Sequence, residues 1–150
     1  MCNLFTAAGS GISCYFYFAA EDWEFYAVLN VTRGEETEPG GITIPADRIP
    51  PLNGRIGAVW EPSDRLRIEP YLDFADRQDR LSPRDERDPR IDPNGTAGFG
   101  TLNLLVTWQP AAAWRTGLRV QNLGDKAYRE HGSGIDAPGR NLGGWVELVF

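Results

Sequence analysis

The last stretch of the chain decides the fold: residues 122–150 read NLGDKAYREHGSGIDAPGRNLGGWVELVF. Its final ten residues alternate between two faces, and the more apolar face carries Leu142, Gly144, Val146, Leu148 and Phe150. A repeat of two residues is the period of a β-strand. A strand with one apolar face that ends on an aromatic residue is typical of membrane barrels, whose rims carry aromatic girdles.

The same alternation recurs along the chain and predicts five earlier strands, at 23–32, 55–61, 65–75, 101–108 and 114–121. An apolar run at 14–18 predicts a further strand. The polar face of 65–75 carries Arg65, Arg67, Glu69 and Asp73. Four charges are too many for the core of a β-sandwich, and they are typical of a water-filled lumen. The chain is therefore predicted to be all-β and antiparallel, with about six to seven transmembrane strands.

Connections alternate between short turns and long polar loops, as they do at the periplasmic and extracellular ends of outer-membrane barrels. The long loops are predicted at 34–52, 76–96 and 126–139. Four tryptophans lie next to short turns: Trp23, Trp60, Trp108 and Trp114. They predict an aromatic girdle at one rim. Phe74 and Phe99 are expected at the other rim, whereas Trp145 is expected to face the lumen.

The end of the chain resembles the C-terminal end of TonB-dependent outer-membrane receptors. Besides the terminal Phe150, the residues that carry the resemblance are Asn122, Leu123, Asp125, Tyr128, Pro138, Gly139, Arg140 and Asn141. The family usually has an aromatic residue where Gly124 stands. The resemblance covers residues 22–150, and residues 1–21 match the family poorly.

The resemblance implies a location, a function and partners. Receptors of this family are barrels of about 22 strands with a plugged lumen. They lie in the bacterial outer membrane and import ferric siderophores, haem or cobalamin with energy passed on by TonB. The chain is expected to be a C-terminal barrel fragment without plug domain or TonB box, so that TonB would act only through the missing N-terminal part. Outer-membrane lipid would contact the wall, and the barrel-assembly machinery would read Val146, Leu148 and Phe150.

Two groups of loop residues are candidate ligand contacts. Arg80, Arg84, Arg87 and Arg90 lie in the second long loop, and His131 lies in the third. The arginines are suited to an anionic siderophore, and the histidine to haem or an iron chelate, although a solvated loop histidine is the favoured interpretation of His131. Asp85, Asp88 and Asp92 alternate with the arginines, so ion pairs within the loop or solvated charges are the favoured interpretation. Their spacing does not fit a calcium loop, and no metal site is predicted.

Composition excludes several classes of function. A net charge of −6 and a pI of about 4.8 argue against a nucleic-acid partner. Ser133 lacks the turn of a catalytic serine, and its neighbour His131 has no evident carboxylate partner. We therefore predict neither an enzyme nor a cofactor. Cys2 and Cys14 are either a loop-closing disulfide or unpaired thiols.

Two alternatives stay open at this point. One is a small outer-membrane barrel closed by several copies of this chain, since six or seven strands do not close a normal barrel. The other is a soluble, secreted, β-rich binding module, which leaves the sorting of tryptophans by turn length unexplained.

Overall fold

A computed structural model describes residues 1–6 and 9–148 of the chain. These residues form a single antiparallel sheet of nine strands. The strands are β1 (Cys2–Thr6), β2 (Gly9–Ala20), β3 (Trp23–Thr37), β4 (Thr43–Pro45), β5 (Asn53–Ser63), β6 (Leu66–Ala75), β7 (Phe99–Ala111), β8 (Trp114–Gln121) and β9 (Asn141–Leu148). The prediction of an all-β antiparallel fold is confirmed. The described part of the chain has no helix long and apolar enough to cross a membrane.

The strands follow one another in space as they do in sequence. The order is β1-β2-β3-β5-β6-β7-β8-β9, and β4 is a short hairpin strand that pairs only with β3. Such an order needs only tight turns and loops between neighbours, which is the connectivity of an up-and-down barrel wall. In the described residues, β1 and β9 are the two ends of this path.

The number of strands differs from the six or seven predicted. β4 forms inside the first long loop, and β3 continues to Thr37 to meet it. These segments are too short and too polar for a period-two signal. The apolar run at 14–18, which predicted a strand, is part of a twelve-residue strand, β2, that pairs with β1. Cys2 and Cys14 are direct partners across β1 and β2 and are joined by a disulfide.

The two faces of the sheet differ in polarity, and the apolar face is the exposed one. Its large side chains are 38–64% exposed: Phe16, Phe25, Ile56, Trp60, Leu72, Leu102, Trp108, Leu118 and Val146. The opposite face shelters polar residues, including Thr101 and Asn103, which are only 4% and 2% exposed. A soluble domain buries apolar groups first, so this arrangement is inverted. An inverted sheet is what a barrel wall between lipid and a wet lumen requires.

The predicted aromatic girdle has a structural counterpart at the short-turn end of the sheet. Trp23 and Trp60 are cross-strand partners, and their rings stack at 5.6 Å. Trp108 and Trp114 lie on either side of the turn between β7 and β8, and both are half exposed. Side-chain alternation along the strands places all four on the apolar face. Stacked aromatic rings with one polar edge suit the boundary between lipid and water.

Two further aromatic predictions have opposite outcomes. Trp145 pairs with Gly117 and lies on the polar face, where a side chain at position 117 would overlap its ring. The register therefore places Trp145 on the polar face, which is the face expected to line the lumen. Phe99 does not mark the second rim. It alternates with Gly100, so it turns to the polar face and packs on Tyr128 with ring centroids 4.2 Å apart.

Candidate functional site

The polar face of the wall is bound together by charged and hydroxyl groups from several strands. Arg55 donates two hydrogen bonds to Asp73, at 2.6 and 3.1 Å, and its guanidinium lies 4.2 Å from the ring centre of Tyr71. The Tyr26 hydroxyl donates to Glu69 at 2.6 Å, across Gly57 of the intervening strand. A Cβ at position 57 would overlap the Tyr26 ring, so glycine there lets the tyrosine cross the strand in this position. These pairs satisfy charges within the wall, which supports a structural role for this face.

The long loops fold over the polar face at the end of the sheet opposite the short turns, which we call the upper end, and hydrogen bonds join the loops to one another. We call them loop A (38–52), loop B (76–98) and loop C (122–140). The side chain of Gln78 donates to the carbonyl of Ile49 at 2.6 Å, and this bond joins loops A and B. The backbone N–H of Arg48 donates to the Asp85 carboxylate, which is 2% exposed. A buried carboxylate that accepts backbone hydrogen bonds fixes one loop against the other.

A hydroxyl extends the junction of loops A and B. Ser82 is fully buried, and its Oγ donates to Asp47 at 2.7 Å. That hydrogen bond is the main cause that holds the pKa of Asp47 below its ordinary value, with Arg84 adding to the effect. The contact joins residues 35 positions apart. Sequence reasoning missed it because no local pattern pairs a serine with a distant aspartate.

The four predicted ligand-contact arginines do not converge on one site. Arg80 donates to Glu35 at 2.5 Å, Arg84 to Asp47 at 2.9 Å, and Arg90 to Asp88 at 2.5 Å. Arg84, Arg87 and Arg90 line a shallow depression at the tip of loop B. Three of the four are thus occupied by ion pairs, but only that of Arg90 lies within loop B. Arg80 and Arg84 pair with residues outside the loop, so the interpretation of ion pairs within the loop holds for one of the three.

The three aspartates that alternate with the arginines each interact with different partners. Asp85 accepts backbone hydrogen bonds, Asp88 binds Arg48 and Arg90, and Asp92 accepts from Asn94. In residues 1–6 and 9–148 no group of three or more acidic, histidine or cysteine side chains is placed to hold a metal ion.

His131 lies in a cavity of about 440 Å³ at the upper end of the polar face. We call it the mouth cavity; its walls include Pro50, Arg55, Asp73, Phe99, Tyr128, Glu130 and His131. The Nδ1 of His131 is 2.9 Å from the Thr96 hydroxyl, whereas Nε2 is buried with no hydrogen-bond partner among the described residues. Burial lowers the pKa of His131, and the nearby Arg48 adds to that shift while Asp85 opposes it. This shift favours the neutral imidazole.

The aromatic side of the mouth cavity comes from Phe99 and Tyr128. Their rings are in tilted contact, and burial raises the pKa of Tyr128, with Glu130 and Asp73 adding smaller effects. Together the walls offer two aromatic faces, a neutral imidazole and a paired arginine–aspartate couple. Such a mixture can hold a flat ligand with a few polar groups. Of these groups, the sequence singled out His131 as a ligand contact and placed Asp73 on the polar face that is expected to line the lumen.

The residues that carry the family resemblance form one compact turn between β8 and β9. Asn122 is 3% exposed and has a left-handed φ of 50°. Its side chain accepts from the Lys126 N–H at 2.9 Å and donates to the Lys126 carbonyl at 2.8 Å. The backbone N–H of Arg140 donates to Asp125 at 2.7 Å, and its side chain donates to the Leu123 carbonyl at 3.0 Å. The motif therefore closes the base of loop C and aligns β9 on β8.

Other motif positions fit the same structural role. A Cβ at Gly139 would overlap the Asp125 carboxylate, so glycine allows the turn to close. Tyr128 accepts a backbone hydrogen bond from Ala137 at its carbonyl, and Asn141 pairs with Gln121 at the start of β9. Pro138 lies just before this pairing. Gly124 has open space around its Cα, and an aromatic side chain would find room there.

The predicted assembly signal lies only partly in the described part of the chain. Val146 and Leu148 are on the apolar face of β9, and both are more than half exposed. β9 is also an end of the sheet, so its outer edge is available for pairing. Phe150 lies outside the described residues.

The fold is similar to known outer-membrane proteins. The copper transporter OprC superimposes with a TM-score of 0.75 at 22% identity, covering 95% of this chain and 22% of OprC. The ferric enterobactin receptor PfeA from Pseudomonas aeruginosa (a G324V mutant) gives 0.71 at 15% identity, with 95% and 22% coverage. The siderophore receptor PiuA from Acinetobacter baumannii gives 0.61 at 12% identity, with 92% and 21% coverage. No protein-family model and no curated protein sequence matches the chain.

These three proteins are TonB-dependent receptors, which are transporters and receptors rather than enzymes. The chain spans about a fifth of the length of each. At such low identity the likeness concerns the fold, and it extends over nearly the whole of this chain. The chain therefore has the fold of a segment of a TonB-dependent receptor barrel.

Proposed function

We propose that the chain is a C-terminal wall segment of a TonB-dependent outer-membrane receptor, embedded in the bacterial outer membrane with its apolar face in lipid. The observation that carries this proposal is the inverted sheet, with exposed Leu, Ile, Phe and Trp on one face and sheltered polar residues on the other. Lipid contact accounts for exposed apolar side chains, and a wet lumen accounts for the ion pairs. Loops A, B and C would face the outside of the cell, and the short turns would face the periplasm.

Cysteine labelling in intact cells tests this topology. The chain is expressed without its own thiols (Cys2→Ser, Cys14→Ser) and with one new thiol, from Arg87→Cys in loop B or Asp64→Cys in a short turn. A membrane-impermeant maleimide is expected to label the loop B variant in intact cells and the turn variant only after disruption. Equal labelling of both in a soluble fraction would overturn the proposal and favour the secreted binding module.

We further infer that the imported nutrient is a metal chelate, with a ferric siderophore ahead of haem and cobalamin. Two of the similar structures are siderophore receptors by name, and one is a copper transporter. The mouth cavity supports this inference, because Phe99 and Tyr128 can stack on the aryl groups of a chelate. Transport itself would need a plug domain and TonB, which act through other parts of the receptor.

Binding of a ferric catecholate chelate to the detergent-solubilised chain tests the inferred nutrient. Tyr128→Ala is expected to weaken binding about tenfold, by loss of one stacking contact. Tyr15→Ala, on a strand away from the cavity, is the matched control and is expected to leave affinity unchanged. Equal affinities of both variants and the parent chain would remove the mouth cavity as the ligand contact.

The open edges of the sheet support one alternative, a small barrel closed by several copies of the chain. That barrel would give the same labelling pattern. The two models would be distinguished by the particle extracted in detergent. The small barrel predicts a particle that contains several chains, with β9 of one copy paired with β1 of the next.

A further inference from the structure

A second cavity lies beside the mouth cavity, behind the shared wall of Pro50 and Pro51. It has a volume of about 160 Å³, and we call it the arginine cleft. Among the described residues that line it, the charged ones are Arg33, Arg77 and Arg80, and no carboxylate is among them. A cleft whose charged lining residues are all positive is suited to an anion.

Part of the cleft belongs to the apolar face of the wall. Arg33 lies on the same face of β3 as Val31 and, at the far end of the strand, Trp23. The apolar lining of the cleft includes Val31 and Leu52, which are 43% and 40% exposed. Glu35, which forms an ion pair with Arg80, is on this face too. Arg33 and Arg80 therefore lie just above the apolar belt, at the end of the sheet that carries the long loops, and Arg77 completes the lining from loop B. An amphiphile with an anionic head has this same order of apolar and charged parts.

The arginines have unused donors that point to an external partner. Arg80 uses one nitrogen for Glu35, and Arg77 uses one for the carbonyl of Asn94. Arg77 is also 3.9 Å from Asp79, an exposed and weak contact. No carboxylate in the described ranges forms an ion pair with Arg33. Each guanidinium has five N–H donors, so most of them have no partner among the described residues.

The base of the cleft is fixed before any ligand arrives. Gln78 is 7% exposed, and its side chain accepts from the Arg80 N–H at 3.0 Å while it donates to Ile49. Its backbone also exchanges two hydrogen bonds with Thr96, at 2.9 and 2.8 Å. Arg77 and Arg80 therefore start from a rigid backbone, which lowers the entropy cost of binding.

We propose that the arginine cleft binds the phosphorylated headgroup of an outer-leaflet lipid, with Arg33, Arg77 and Arg80 on the phosphate and Val31 and Leu52 against the acyl chains. The inference rests on the proposed membrane location. It goes beyond the receptor function, because the cleft serves the lipid side of the wall rather than the imported nutrient. Planar guanidinium groups suit phosphate because they donate two parallel hydrogen bonds.

Native mass spectrometry of the full chain in neutral detergent tests this site, with diphosphoryl lipid A as the probe. Arg33→Gln is expected to weaken binding about fivefold, and the triple variant Arg33→Gln, Arg77→Gln, Arg80→Gln to weaken it by more than tenfold. The matched control removes the same charge at the tip of loop B: Arg84→Gln, Arg87→Gln, Arg90→Gln. It is expected to leave binding unchanged. Since Arg33 has no ion-pair partner in the described part of the chain, its single variant should fold normally.

Each outcome bears on the proposal. Equal loss in the control triple would make binding a matter of net charge and overturn the site, as would unchanged binding in the Arg33 variant. Competition by millimolar inorganic phosphate, or equal binding of a dephosphorylated lipid A, would overturn the lipid headgroup as the ligand. Cysteine labelling reports membrane topology independently, so a failed lipid site and a failed membrane location would be distinguished.

Discussion

A pair of leucine-to-arginine substitutions in β7 separates a membrane wall from a soluble sheet. Leu102 is on the apolar face and is 52% exposed, whereas Leu105 is on the polar face, opposite Glu69 and Arg119. In a soluble protein, Leu102→Arg would change the stability by less than about 0.5 kcal/mol, because the site is already exposed. Leu105→Arg would then be the more damaging change. In a membrane wall the order is reversed.

The expected cost of Leu102→Arg follows from its depth. It lies six residues from Trp108 of the aromatic girdle, or about 20 Å along the strand and about 14 Å along the membrane normal at a tilt of about 45°. The apolar band of a barrel is about 25 Å tall, so Leu102 lies close to the midplane. Since an arginine costs about 2–4 kcal/mol at the midplane, we expect the free energy of unfolding to fall by an amount in that range.

Urea unfolding of the chain in lipid vesicles, followed by tryptophan fluorescence, measures this difference. We expect the urea midpoint for Leu102→Arg to fall clearly and that for Leu105→Arg to change little, because the new arginine faces water and lies between Glu69 and Arg119, whose effects oppose each other. A larger loss for Leu105→Arg than for Leu102→Arg would refute the assignment of the two faces.

Three further predictions concern the loops. Asn122→Ala is expected to lower the free energy of unfolding by about 2–3 kcal/mol, because two side-chain hydrogen bonds are lost and an alanine is placed at positive φ. Chemical denaturation measures this loss, and an unchanged midpoint would contradict the structural role of the motif. Burial lowers the pKa of His131, so the folded loops should lose stability as the pH falls below about 6.5, the ordinary pKa of a histidine. Proteolysis of loop C should therefore accelerate at acid pH. His131→Gln should abolish that pH dependence. Ser82→Ala is expected to raise the pKa of Asp47 towards its ordinary value, which a carboxylate NMR titration would show; an unmoved titration would contradict the junction of loops A and B.

Alternation of side chains predicted most of the wall, because the period of a strand depends only on neighbouring residues. It located β3 and β5 to β9, assigned their two faces and placed Trp145 on the polar face. It did not find β4, whose three residues are too few to show a period. It also placed Phe99 on the wrong face, because an aromatic at a strand end was read as a girdle residue although alternation from Leu102 points it inward.

The sites in the loops were harder to predict, for a physical reason. The junction of loops A and B joins Arg48 to Asp85 and Asp47 to Ser82, pairs that are 37 and 35 residues apart. The arginine cleft likewise joins β3 to loop B. Nothing local in the sequence marks such partners, and only the register of the sheet brings them together. The charge of loop B was visible in the sequence, but its division into ion pairs and cleft residues was not.

Quenching of tryptophan fluorescence by brominated lipid tests the central claim, that the apolar face lies in the membrane. Two variants that each retain one tryptophan suffice: Trp60 on the apolar face, and Trp145 on the polar face. In vesicles with brominated acyl chains we expect strong quenching of Trp60 and little quenching of Trp145. Equal quenching of the two, or quenching of neither, would contradict the account.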